Sequence, residues 1–191
     1  MSAHNSPLAA LLPHAQPSTR ATIGRTLRLF GKPALEFAVR AGIMVVPLRR
    51  AQRYADASSA LRRLCASIDE WPAPPAGLFV VEERTVYLRS RSPMTVAHEF
   101  GHALDCALGG GIYRSSCDSR IRTLFEDAHD FVTPYAATSI DEYFAECMRA
   151  YVGANDPASC WPSATRDRLH RVDAGMSNYI KRLFTVEFSA S

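Results

Sequence analysis

The sequence predicts an α+β fold, mainly helical, with a small mixed β-sheet placed before one central helix. Three observations predict it. The β-prone runs are confined to the first half, at 43–48, 78–81 and 85–88. Helical periodicity and capping residues dominate from Ser92 onward. The chain has 191 residues, 47% of them hydrophobic and 21% charged, which suits one globular domain with a real core.

Residues 1–20 are rich in Ser, Pro, Ala and His, and no acidic residue precedes Glu36. They read as a disordered tail, which leaves 21–191 as the domain. A first helix is expected over 33–40, then a short strand over 43–48 whose Pro47 suits a sheet edge. From 51 to 68 the apolar residues Tyr54, Ala57, Leu61, Leu64, Cys65 and Ile68 recur at threes and fours, as on an amphipathic helix. The run Trp71-Pro72-Ala73-Pro74-Pro75-Ala76-Gly77 is a stiff loop. The next two β-prone runs flank Glu82-Glu83-Arg84 and predict a hairpin, with 85–88 as an edge beside any cleft.

Ser92-Pro93 is a helix start, and Gly109-Gly110-Gly111 a stop, so a helix is expected over 93–108. Another is expected over 120–132, ahead of Pro134. Ser139 with Glu142 three residues on has the spacing of a capping box, for a helix over 139–152. The last apolar stripe, Leu169, Val172, Met176, Tyr179, Ile180 and Leu183, predicts a final helix over 164–184.

Net charge is +3 with a pI near 8.7, and no basic run exceeds two residues, so no nucleic-acid partner is implied. The longest apolar run, 41–48, is too short to span a bilayer, and the start of the chain lacks the pattern of a classical signal peptide. A monomer without membrane attachment is expected, cytoplasmic or secreted by a route that needs no such signal. The five cysteines, at 65, 106, 117, 147 and 160, are odd in number and contain no Cys-x-x-Cys pair. This excludes a zinc ribbon and argues against a disulfide scaffold.

The chemistry sits in the pentapeptide His98-Glu99-Phe100-Gly101-His102. Histidines four apart on a helix project from one face, close enough for both imidazoles to bind one Zn2+. Glu99 then lies beside the metal, where a carboxylate can accept a proton from an attacking water. With 6 His and 9 Glu in the chain, chance supplies such a pentapeptide in roughly one chain per hundred. Two histidines leave zinc a ligand short. A third His after Gly fails, because Asp105 and Leu108 occupy those positions. Downstream, Glu142 and Glu146 stand one turn apart beside Tyr143, Phe144 and Ala145. One would ligate the metal and the other would support it. Asp105, three residues after His102, is a candidate acceptor for that imidazole's free N–H. Cys106 and Cys147 read as packing. His4, His14, His129 and His170 have no ligand spacing to the site.

HEFGHALD, followed some forty residues later by Tyr135 and then EYFAE, resembles the catalytic domain of anthrax lethal factor and the related Pro-Pro endopeptidases. The resemblance covers about 77–151 and implies a zincin-like metallopeptidase domain. It implies that Glu142, seven after Tyr135, is the third zinc ligand, and that Glu146 supports it. It also implies that Tyr135 faces the substrate carbonyl and Glu99 is the general base. The toxin's receptor-binding and substrate-docking regions have no counterpart here. The expected function is a zinc metalloendopeptidase acting on a protein or peptide substrate, with a secreted effector or toxin as its expected setting. The alternatives are a cytoplasmic regulatory peptidase and a non-catalytic zinc-bound peptide-binding module.

Overall fold

A computed structural model of the chain describes residues 6–64 and 67–189. Three short helices come first, α1 (Pro7–Leu11), α2 (Pro17–Leu27) and α3 (Gly31–Arg40), followed by strand β1 (Met44–Pro47). Two single-turn helices, α4 (Tyr54–Ala57) and α5 (Ser59–Arg63), precede the strands β2 (Gly77–Val80) and β3 (Thr85–Leu88). The rest is helical: α6 (Pro93–Leu108), α7 (Arg114–Cys117), α8 (Ser119–Glu126), α9 (Ile140–Tyr151), α10 (Arg166–Val172) and α11 (Ala174–Arg182). The expected α+β class, mainly helical with a small mixed sheet, is what forms. Among the described residues no helix is long and apolar enough to cross a membrane.

The three strands run in the order β1-β3-β2, with β1 parallel and β2 antiparallel to β3. This corrects one expectation. β3 is the central strand, paired on both sides, and β2 is the edge that borders the cleft. All four residues of β3 are buried, because helices cover both sheet faces. Val86 and Leu88 face the main core with Val45 and Phe79. Tyr87 faces the other way, into a smaller cluster with Leu48, Tyr54, Ala60 and Val80. The alternation follows from the two-residue period of a strand.

The tail expected over 1–20 is also corrected where it is described; residues 1–5 lie outside the described residues. Pro7 and Pro17 each open a helix at its first turn, where a missing N–H costs nothing. Leu11 and Leu12 are fully buried against the main core, and Arg20 donates to the Leu12 and Ala15 carbonyls at 3.1 and 3.3 Å. The helix expected over 51–68 is broken at Ser58, whose backbone is extended while its Oγ caps α5 at Leu61; positions 65–66 of that stretch lie outside the described residues.

The helix expected over 120–132 stops at Glu126, since Asp127, His129 and Asp130 offer no apolar face. Arg168 instead takes the carbonyls of Phe131 and Val132. The final helix is split at Asp173, which caps α11 and accepts a bond from the Tyr143 hydroxyl. The helices over 33–40, 93–108 and 139–152 form within a residue or two of the expected bounds.

At the centre α6 packs along α9. Gly101 makes that approach possible: a Cβ there would lie 3.1 Å from the Ala145 Cα and 3.3 Å from its carbonyl oxygen. The backbones therefore pass close enough for side chains of α6 and α9 to meet over a single point.

Candidate metal centre

Ser92 caps α6 by accepting from the Thr95 amide at 3.2 Å, and Pro93 fills the first helical position. This fixes the register from which His98 and His102 project. Ser139 does the same for α9, accepting from the Glu142 amide at 3.3 Å. The reciprocal half of the expected capping box is not used, because the Glu142 side chain turns toward the histidines.

Three donor atoms converge there. The two imidazole Nε2 atoms are 3.1 Å apart, and Glu142 Oε2 lies 3.0 Å from the first and 3.3 Å from the second. Tetrahedral ligands at ~2.0–2.1 Å from a zinc ion sit ~3.3 Å from one another, so the triangle fits one ion. The His98 Nδ1 faces Glu146 Oε1 at 2.9 Å and donates to that carboxylate, so in the neutral imidazole Nε2 is a lone pair directed at another carboxylate. Glu142 Oε2 is buried and receives no hydrogen bond. A cation between these atoms resolves both conflicts. Burial alone would lower the pKa of His98, but the Glu142 and Glu146 carboxylates beside it outweigh this and lift it to about 10. The site is built to hold positive charge. Among the described residues this is the one group of His, Cys, Asp or Glu side chains able to hold a metal.

Glu146 is held from all sides. Its Oε1 meets the Arg149 Nε at 3.0 Å, and its Oε2 accepts from Arg149 Nη2 at 2.8 Å and from the Thr133 hydroxyl at 2.7 Å. Arg149 is fully buried and also donates to the Ala154 carbonyl. Burial pushes the Glu146 carboxyl up, but His98 and Arg149 more than offset it and hold it at about 2. A buried carboxylate so paired keeps the His98 ring in one orientation and one tautomer.

Glu99 lies under the sheet edge and is 8% exposed. Burial raises its pKa, against the opposing pull of the two histidines. A Cβ at Gly77 would stand 2.5 Å from Glu99 Cγ, so glycine is what admits this carboxylate beneath β2. Tyr135 sits on a 3-10 turn at the mouth, donating to Glu142 Oε1 at 2.8 Å. Its ring stacks on Trp161 at 6.2 Å and 10° and lies 5.6 Å from the His98 ring.

Two expectations change. Asp105 does not reach His102. Its oxygens accept from the Ser115 amide at 2.9 Å and the Ser115 hydroxyl at 2.6 Å, tying α6 to the start of α7. Burial pushes the Asp105 carboxyl up to about 6. His102 Nδ1 is buried with no hydrogen-bond partner among the described residues. Cys106 and Cys147 are core residues, as expected, and His14, His129 and His170 stay away from the site; His4 lies outside the described residues.

The site opens into a cleft of about 550 Å³ between the β2 edge and the α6–α9 pair, rimmed by Trp71 and Trp161. Sequence patterns do not single out Gly77, Thr133, Arg149 or Trp161 as part of the site. Gly77 alone carries a signal, a glycine where the stiff loop meets a β-prone run. No family model matches this sequence, and a search of curated proteins finds no match.

Proposed function

We propose that the chain is a zinc-dependent metalloendopeptidase of the zincin-like kind, in keeping with its resemblance to the lethal factor catalytic domain and the Pro-Pro endopeptidases. The observation that carries the reading is the convergence of His98, His102 and Glu142 on one point at the floor of a cleft, with Glu99 buried beside them. A zinc ion held there supplies Lewis acidity, polarising a peptide carbonyl and making water a competent nucleophile near neutral pH.

The chain's own residues do the rest. Glu99 accepts a proton as water attacks the scissile carbonyl and returns it to the leaving amine. Its raised pKa suits a group that must hold that proton between the two steps. The Tyr135 hydroxyl, rotating from Glu142, donates to the carbonyl oxygen as negative charge develops, where one lost donor costs on the order of 10²–10³ in rate. Strand β2 is an edge. Arg89 donates to the Ala76 carbonyl, so by the antiparallel alternation Gly77 and Phe79 turn their main-chain groups away from β3. An extended peptide can pair with that edge across the cleft.

The test compares wild type with Glu99→Gln, measuring zinc content and cleavage of a mixed peptide pool by mass spectrometry. One zinc in each, with cleavage by wild type alone, is expected. Zinc in both with cleavage by neither would leave a zinc-bound peptide-binding module and overturn the peptidase reading.

A further inference from the structure

A second cavity, of about 460 Å³, shares no lining residue with the cleft. It is walled by the second half of α2, the lead-in to α6 and the turn after α9, and neither Asp nor Glu lines it. Two arginines do: Arg25 from α2, and Arg91 just ahead of the Ser92 cap. Neither has an ion-pair or hydrogen-bond partner among the described residues. The dipole of α2 favours a cation in its last turn, which accounts for Arg25. Arg91 has no such reason, because it precedes the positive end of α6, where a cation is disfavoured. Thr26 is an independent sign. It is 4% exposed and lines the same cavity, yet its hydroxyl makes no hydrogen bond among the described residues. A helical threonine can turn its hydroxyl back to a carbonyl one turn earlier, as Thr22 does to Ser18 at 3.1 Å. Thr26 does not, and a buried hydroxyl left without a partner costs stability.

We propose that this cavity binds a dianionic oxyanion, the phosphate group of a small organic phosphate. Arg25 and Arg91 answer its two charges as charge-assisted donors, and Thr26 donates to a third oxygen. Leu29, 48% exposed, and Pro93 line the same cavity and supply an apolar wall for the organic part. The volume falls within the ~300–1,000 Å³ of small-molecule sites. The proposal does not depend on the peptidase reading.

The test is a titration of phenyl phosphate into the zinc-loaded full chain, followed by amide chemical shifts. Saturable shifts are expected at Thr26, Gly153 and Ala154. Arg25→Gln and Arg91→Gln should each weaken binding about tenfold, and Thr26→Val about threefold. Benzenesulfonate, a tetrahedral oxyanion with one charge, should bind about tenfold more weakly than phenyl phosphate. Arg40→Gln removes an exposed charge from α3, outside the cavity, and should change binding by less than about twofold. Without ligand, the Arg25 and Arg91 variants should unfold at or above the wild-type temperature, since each removes an unanswered charge. A lower temperature would mean that these arginines hold the fold instead, which counts against the site. Shifts confined to residues 98–102 would put the anion at the metal, and equal weakening by Arg40→Gln would reduce the effect to diffuse attraction. Either result overturns the proposal.

Discussion

The floor and the rim of the cleft are held together by different physics. The floor is α6 against α9, and its charges are buried in mutual pairs: Glu146 with Arg149 and His98, and Glu142 with the two histidines. The rim is β2, the Trp71 loop and the α4–α5 pair over a small apolar cluster. There, single carboxylates reach across loops to main-chain amides. Asp69 accepts from the Tyr54 and Ala55 amides at 2.9 and 3.1 Å and pairs with Arg89, while the Tyr54 hydroxyl donates to the Pro75 carbonyl. Glu83 accepts from Ser59, the Ala60 amide and the Tyr87 hydroxyl. The difference teaches where a single substitution is costly. On the floor it strands a charge among other charges, whereas at the rim it takes the acceptor from main-chain amides and loosens a loop.

The largest effect should therefore come from Arg149→Met, which strips the buried Glu146 carboxylate of its guanidinium partner and leaves it only His98 and Thr133. We expect a loss of about 3–5 kcal/mol in denaturant unfolding of the metal-free protein. A loss below about 1 kcal/mol would erase the contrast with the rim. Next comes the seam between the regions. Gly77→Ala puts a Cβ 2.5 Å from Glu99 Cγ, so the carboxylate must shift. Cleavage should fall on the order of hundredfold with zinc content retained, since misplacement by about 1 Å suffices for that. Asp69→Asn should cost less, about 1–2 kcal/mol, as an amide replaces one accepting oxygen by a donor facing a main-chain N–H. The loss should show as weakened protection of the α4 amides in hydrogen exchange, with α9 unchanged.

The smallest effect is in pH. Burial pushes the Glu83 carboxyl up, but bonds from Ser59, Tyr87 and Ala60 outweigh it and set the pKa at about 2. A pKa depressed on folding means stabilisation that is complete above the ordinary carboxylate value of ~4.3 and lost as pH falls from there through the folded value. Protection of the Ala60 amide, corrected for intrinsic exchange, should decline over that window in the wild type and be low throughout in Glu83→Gln.

The same contrast explains what the sequence made legible. The floor is local: caps at Ser92 and Ser139, apolar periodicity, and histidines and glutamates at four-residue spacing all lie within α6 and α9. Arg149 is not legible in the sequence, because an arginine three residues after a glutamate usually marks a wet helix face, and only tertiary packing buries it. The rim is non-local. The parallel pairing of β1 with β3 joins Met44 to Thr85 and puts β3 in the centre, which no pattern within either strand foretells. Likewise Asp105 finds Ser115 ten residues on rather than its own helical neighbour. Pro7 and Pro17 suggested a tail, yet both are helix starts, and the buried Leu11 and Leu12 carry the information that composition averages away.

The most direct test of the central claim is X-ray absorption at the zinc edge, on protein loaded with one equivalent of zinc. Ligation by His98, His102 and Glu142 predicts a shell of nitrogen and oxygen alone at ~2.0–2.1 Å, with outer scattering from two imidazoles. A sulfur neighbour at ~2.3 Å would place the metal on a cysteine and contradict the site.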